Sequence, residues 1–189
     1  MKMEAVFLIL IGAALFSQSW HVMGLYSDGR TVGIFVGGLG VLSLAAVIVL
    51  DPMLLTGSGD KTISAANHMA EVTATKALIA VWGLYCIGVA AQSLWDLEEQ
   101  AVGFFSLIVT VVTVVVFLYY AGVLEPRYGE TIWLGLSAAS LLLTIISAVV
   151  FFALGFTFNV MRAVAGWTLL LCGGTVGVIG LAVAVRAIA

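Results

Sequence analysis

The sequence predicts an all-α integral membrane protein with six transmembrane helices, and two observations carry this prediction. The composition is 63% hydrophobic and only 9% charged over 189 residues, which lies outside the range of soluble domains. The hydrophobic residues also form continuous runs, and about 20 apolar residues are enough for a helix to cross a bilayer. Barrel strands alternate in polarity and span only about ten residues, so the continuous runs indicate helices.

Six such runs follow one another, and the short connections between them hold nearly all the charged residues. The runs cover residues 5–23, 32–50, 77–94, 101–124, 131–158 and 164–185. Both prolines, Pro52 and Pro126, lie in connections, so proline interrupts no run. Residues 1–189 are therefore predicted to form a single six-helix domain.

The distribution of charge disfavours several classes of function. The net charge of −3 is spread thinly over the connections, which does not indicate nucleic acid as a partner. No Asp, Glu, Lys or Arg lies between the ends of the runs, whereas ion-coupled transporters generally keep ionisable groups inside the membrane. An ion-coupled carrier is therefore disfavoured.

The sequence also offers no constellation for catalysis or for a cofactor. Cys86 and Cys172 lie midway along runs that contain no His or carboxylate to serve as a base, so we expect no enzyme. His21 lies near the end of the first run and His68 in the second connection, which does not place two axial haem ligands at matching depth. We therefore expect neither a cofactor nor a metal.

The third run has an unusual inner composition. At 3.6 residues per turn, Trp82, Tyr85, Val89 and Gln92 fall near one helical face, with Cys86 beside them. A path for a small neutral polar solute needs aromatic or apolar walls that exclude ions, together with sparse hydrogen-bonding groups. This face matches that description, although an aromatic stripe also suits a packed core.

The fifth run carries a complementary face of small hydroxyl residues. Its members recur at spacings of three and four, and they are Trp133, Ser137, Ser140, Thr144 and Ser147. Shorter hydroxylated stripes occur in the fourth run (Ser106, Thr110, Thr113) and in the sixth (Thr168, Cys172, Thr175). We interpret those two as helix packing. The glycines of FVGGLG and CGGTVGVIG receive the same interpretation, because they allow helix backbones to approach closely.

Several stretches together resemble the bacterial six-helix urea and short-chain amide channels of the UreI/AmiS type. The matching pieces are GRTVGIFVGGL entering the second run, WGLYCIGVAAQSLWDLEEQAVGFFSL across the third and fourth, and IWL opening the fifth. Through VAAQSLWDLEEQAVGFF the similarity is greater to the amide-transporter branch.

The resemblance implies roles for particular residues. Trp82 falls at an aromatic constriction, Tyr85 and Cys86 fall at neighbouring wall positions, and Trp133 matches a tryptophan of the fifth helix. This chain departs from the urea channels on the fifth helix, where Leu136, Ala139 and Ser140 replace bulkier pore-facing side chains. It departs again in the sixth helix, where Cys172 stands in place of the carboxylate of the acid-gated urea channel. His68, by contrast, falls where the acid-gated members have a histidine-bearing loop. Both departures favour acetamide-like solutes over strict urea selectivity and acid gating.

The resemblance also implies an architecture. The fold is a twisted six-helix bundle with a pore through each protomer, assembled in the bacterial cytoplasmic membrane as a homohexamer whose centre is filled with membrane lipid.

Two indications of the orientation in the membrane conflict. Five of the seven Lys and Arg residues fall on the side of the N-terminus, which by the positive-inside rule makes that side cytoplasmic, whereas the family has its termini outside. We adopt the orientation of the family.

The function expected from these features is passive passage of a small neutral amide or urea. The predicted pore-lining residues are Trp82, Tyr85, Cys86, Val89, Gln92, Trp133, Leu136, Ser137, Ser140, Thr144 and Cys172. The alternative is a non-transporting membrane subunit whose glycine-rich and hydroxylated faces pack against a partner protein.

Overall fold

A computed structural model describes residues 3–25, 28–49, 65–124, 126, 131–156, 159–185 and 187, and every regular element in these residues is a helix. Six helices follow in order: α1 (Met3–Val22), α2 (Gly29–Val49), α3 (Ala65–Trp95), α4 (Glu99–Tyr119), α5 (Thr131–Val150) and α6 (Asn159–Ala184). All six contain a segment long and apolar enough to cross a membrane, as predicted. The chain is therefore a multi-pass membrane protein.

Three helices depart from the regular spans that the runs predict, in ways that affect the interior. Helix α3 begins at Ala65, so residues 65–76, including His68, are helical although the sequence suggested a connection. Helices α4 and α5 each end in a five-residue π-helical turn, Tyr120–Leu124 and Phe151–Gly155. Such turns add a residue to the helical repeat and often occur at functional sites.

The six helices form a closed ring in sequence order. Each helix packs mainly against its neighbours in the chain, and α6 packs against α1 to complete the ring. Helix α1 also contacts α3, so the inward faces of these two helices meet. Because successive spans alternate in direction, α1, α3 and α5 begin on the N-terminal side of the bundle and end on the opposite side.

Close approach between helices depends on glycine at two interfaces. A Cβ at Gly12 of α1 would lie 2.5 Å from the backbone nitrogen of Gly177 on α6. Between α2 and α3, a Cβ at Gly40 would lie 2.6 Å from the Cβ of Cys86. By contrast, nothing lies within 4 Å of a Cβ at Gly38. The glycine-rich stretches thus contribute to packing inside this chain.

Charged residues of the described spans lie near the ends of these spans. They are Glu4, Arg30, Lys76, Glu99 and Arg162, each within the first five residues of its span. Because a charge deep in the bilayer is costly, this placement leaves the middle of the ring to neutral groups.

Candidate functional site

The inward face of α3 carries the predicted aromatic stripe. Trp82, Tyr85 and Val89 are at most 4% exposed, and Gln92, one turn further along, is half-buried. Their spacing keeps all four residues on the face that meets α1 and α4. The structure therefore brings together, on one helix, four of the residues that the sequence singled out.

The Trp82 side chain on this face is held by an aromatic contact and a hydrogen bond. The rings of Trp82 and Tyr85 meet edge to face, with centroids 5.3 Å apart and planes at 71°. The Trp82 indole Nε1 donates a hydrogen bond of 3.1 Å to Oγ1 of Thr113 on α4. Thr113 in turn donates its hydroxyl hydrogen to the carbonyl of Val109, at 2.7 Å. The threonine thus accepts from the indole and holds it in one orientation.

A second polar contact joins α1 to α3. The Gln18 amide nitrogen lies 3.1 Å from the Tyr85 hydroxyl oxygen, and the Gln18 amide oxygen lies 3.4 Å from it. Gln18 is 4% exposed and Tyr85 is 1% exposed, so water contributes little to either group. The pair satisfies the hydrogen-bonding groups of two side chains buried between helices.

A third contact lies nearer the N-terminal side. The hydroxyl oxygens of Thr75 on α3 and Tyr120 in the first π-helical turn are 2.7 Å apart, and either can donate. The Tyr120 ring also packs on Trp133 of α5, with centroids 6.1 Å apart. Trp133 is buried, so this predicted residue belongs to the same interior as α3, but on a level different from that of Trp82.

A polar vestibule opens on the opposite side of the bundle. This cavity has a volume of about 60 Å³, which is room for a few water molecules or one small solute. Its polar lining residues are Gln18, His21, Gln92, Ser93, Glu99 and Arg162. Arg162 at the start of α6 forms an ion pair with Glu99 at the start of α4. Since α5 stands between these helices in the ring, the pair crosses the mouth of the vestibule.

The hydroxyl stripe of α5 is turned toward its own backbone. Ser137, Ser140 and Thr144 donate to the carbonyls of Leu134, Ser137 and Ser140, at 2.9–3.0 Å. Ser137 and Ser140 are buried, and Thr144 is half-buried. In Ser140 and Thr144 the hydroxyl hydrogen is engaged in this way, and a hydroxyl oxygen whose hydrogen is donated can still act as an acceptor.

The remaining predicted wall residues have apolar surroundings. Cys86 is fully buried and packs against Gly40 at the interface of α2 and α3. Leu136 is buried in the core, and Cys172 on α6 is half-buried and packs against the same core. That these three side chains line a pore stays a prediction.

Three residues of the interior contacts escaped the sequence analysis. Gln18 is a single amide near the end of an otherwise apolar run, which is the one signal that could have identified it. Thr75 lies before the predicted start of the third helix, and Tyr120 sits in a π-helical turn that hydropathy does not reveal. These three residues reach their partners because the length and register of each helix determine which residues lie at the same depth in the bundle.

Inward of the charged mouth of the vestibule, the chemistry available along α3 is hydrogen bonding by neutral groups. In the part of the chain that the structure describes, no cluster of three His, Cys, Asp or Glu could hold a metal ion. Amide, hydroxyl and indole groups can bind and orient a neutral polar solute without changing it.

Comparison with known proteins gives one informative likeness. No protein-family model and no curated protein matches the chain. Among solved structures, the chain is similar to the Helicobacter pylori urea channel in its closed state, with a TM-score of 0.71 and 14% sequence identity. The alignment covers 98% of this chain and 99% of that one. Over nearly its whole length, this chain therefore has the fold of that urea channel.

Proposed function

We propose that this protein is a passive channel for small neutral amides, with acetamide-like molecules as the principal solutes and urea as a second candidate. The observation that carries the proposal is the series of buried neutral polar contacts along the inward face of α3. The contacts extend from Thr75 to Tyr85, and the half-buried Gln92 continues the same face to the vestibule, 17 residues and roughly 26 Å along the helix from Thr75. That length approaches the thickness of a bilayer core, about 30 Å.

The contacts suit an amide better than an ion. An amide offers a carbonyl acceptor and N–H donors, which can exchange hydrogen bonds with the hydroxyls of Tyr85 and Tyr120. The aromatic rings of Trp82 and Tyr85 carry no net charge, so an ion that lost its hydration between them would meet no opposite charge there. Selection would therefore favour solutes that are small, neutral and able to form hydrogen bonds.

The predicted pore wall is part of this proposal. In our account Trp82 forms the constriction with Tyr85, and Val89 and Gln92 continue the wall toward the vestibule that they line. Ser137, Ser140 and Thr144 belong to the proposed wall, and the hydroxyl oxygens of Ser140 and Thr144 would accept hydrogen bonds from the solute's N–H groups. The fold of the Helicobacter pylori urea channel supports a ring whose centre is the path.

Membership of the urea and short-chain amide channel family, on its amide branch, belongs to the proposal too. So does a homohexamer surrounding membrane lipid in the bacterial cytoplasmic membrane. Broad apolar surfaces on α2, α4 and α6, which include Phe35, Ile108 and Leu171, are exposed on the single chain. In the assembly these surfaces would face lipid and neighbouring protomers. Native mass spectrometry of the detergent-purified protein would give the number of subunits.

Passive transport makes a prediction that separates a channel from an ion-coupled carrier. In proteoliposomes, labelled acetamide should reach the external concentration and stop there, with or without an imposed proton or sodium gradient. Accumulation above the external concentration that an ionophore abolishes would contradict the proposal. An occluded bundle that co-purifies with a partner protein would instead favour the alternative of a packing subunit.

A further inference from the structure

Gln18 carries the same chemical group as the proposed solutes. Its terminal carboxamide, with one carbonyl and one NH₂, is an acetamide tethered to α1. The structure places this group within hydrogen-bond distance of the Tyr85 hydroxyl through its nitrogen (3.1 Å) and places its oxygen 3.4 Å away. Gln18 therefore forms with the Tyr85 hydroxyl the contact that a free amide would form there.

The position of Gln18 places its contact with Tyr85 on the proposed path of the solute. Gln18 lines the vestibule, whereas Tyr85 lies behind it and contacts the Trp82 ring. Because both side chains are at most 4% exposed, the bridge from α1 to α3 leaves little free space between them. A solute moving from the vestibule toward Trp82 would have to displace the Gln18 carboxamide from Tyr85.

When a solute amide displaces the Gln18 carboxamide, one hydrogen-bond partner of Tyr85 is replaced by another of the same chemistry. An incoming amide can offer Tyr85 the same donor and acceptor that Gln18 withdraws, so no buried polar group of the tyrosine is left without a partner. A solute that has no N–H or O–H donor, such as N,N-dimethylformamide, cannot reproduce both interactions. Gln18 would thereby discriminate among neutral solutes as well as close the path when solute is absent.

We propose that Gln18 is a tethered amide that competes with the permeating solute for Tyr85 and sets the specificity of the path. This inference rests on the proposed channel function. Gln18 acts here as a specificity-determining residue, and its side chain must leave Tyr85 each time a solute passes.

Selective labelling tests the displacement directly, because the chain contains three glutamines, Gln18, Gln92 and Gln100. In protein labelled with ¹⁵N at glutamine side chains, the NH₂ signals of Gln18 are identified by their loss in Gln18→Met. Added acetamide should shift these signals and leave those of the exposed Gln100 unchanged. Gln18 signals that stay unmoved at acetamide concentrations that support flux would overturn the inference.

Flux measurements provide the second test. Gln18→Met keeps the length of the side chain and removes the carboxamide, so acetamide flux at low concentration should rise roughly two- to tenfold, the range expected for one net hydrogen bond. The preference for acetamide over N,N-dimethylformamide, which lacks an N–H donor, should fall. Combining this change with Tyr85→Phe should cancel the gain, and Gln100→Met serves as the control.

The outcomes separate this inference from the proposed function. Flux of Gln18→Met equal to or below that of the wild type, in a channel that conducts acetamide, would overturn the role of Gln18 and leave the channel intact. A wild type that conducts no amide would overturn both. If Gln18→Met does not fold, the wild-type labelling experiment decides, with the Gln18 signals assigned by elimination from Gln92→Met and Gln100→Met.

Discussion

The Trp82 indole is held by the Thr113 hydroxyl, which accepts its N–H at 3.1 Å from the facing helix. Both residues are fully buried. This bond orients the indole whose ring meets that of Tyr85 on the inward face of α3. A single hydrogen bond between α3 and α4 thus supports the proposed constriction.

Thr113→Val should disturb this constriction while it preserves side-chain shape. We expect loss of discrimination between acetamide and urea, because the indole is no longer held in one orientation. We also expect a stability loss of about 0.5–2 kcal/mol, since a buried donor loses its acceptor. Solute flux and thermal unfolding measure the two effects.

Thr110→Val is the matched control for this change. Thr110 lies one turn earlier on α4 and donates to the Ser106 carbonyl. Its replacement should leave discrimination unchanged. Equal effects of the two substitutions on discrimination would show that the Trp82–Thr113 bond has no special role.

Trp82→Ala should change solute discrimination more than Trp133→Ala. Trp82 meets the ring of Tyr85 beside the Gln18 contact, whereas Trp133 packs on Tyr120 at a different level of the ring. Relative flux rates for acetamide, propionamide and urea through each variant measure this difference. Small and equal changes in both variants would place the constriction elsewhere.

Hydropathy could predict the six spans because it depends on composition averaged over a whole helix. The face of Trp82, Tyr85, Val89 and Gln92 was also predictable, because a regular helical repeat fixes which residues align. Contacts between helices were not predictable in this way. Gln18 meets Tyr85 across 67 residues of sequence, and such a pairing depends on the arrangement of the ring.

Irregular helix geometry explains most of the remaining differences. Tyr120 reaches Thr75 from a π-helical turn, where an ideal 3.6-residue repeat no longer applies. The helix containing Thr75 also starts earlier than hydropathy suggests, because residues 65–76 are polar enough to resemble a connection. Both effects concern the N-terminal side of the ring, where Trp133 was among the predicted pore-lining residues.

Gly12→Ala should destabilise the closure of the ring. The new Cβ would meet the backbone of Gly177 at 2.5 Å, and a helix backbone can yield only by separating α1 from α6. A loss of about 1–3 kcal/mol is expected, observed as a lower unfolding temperature. Gly38→Ala is the control, because its Cβ enters open space and alanine favours a helix. A Gly12→Ala protein as stable as Gly38→Ala would contradict this packing.

Acid should weaken the start of α2. Thr31 donates its hydroxyl and its backbone N–H to the Asp28 carboxylate, at 3.1 and 3.2 Å, and these bonds lower the pKa of Asp28 below its usual 3.8. A lowered pKa means that the stabilisation is complete above 3.8 and is lost as pH falls through the folded-state value. Asp28→Asn keeps the cap without titrating. The unfolding temperature of the wild type relative to Asp28→Asn should therefore fall between pH 5 and pH 2. A constant difference would contradict this role.

The most direct test of the channel is acetamide uptake by liposomes that contain the purified full-length protein, followed by stopped-flow light scattering. Acetamide should enter these liposomes several times faster than it enters protein-free liposomes of the same lipid. The Trp82→Ala variant should alter the ratio of the acetamide and urea rates. Sodium and chloride should remain excluded. Acetamide and urea entering at the protein-free rate, in vesicles that contain folded protein, would contradict the channel function.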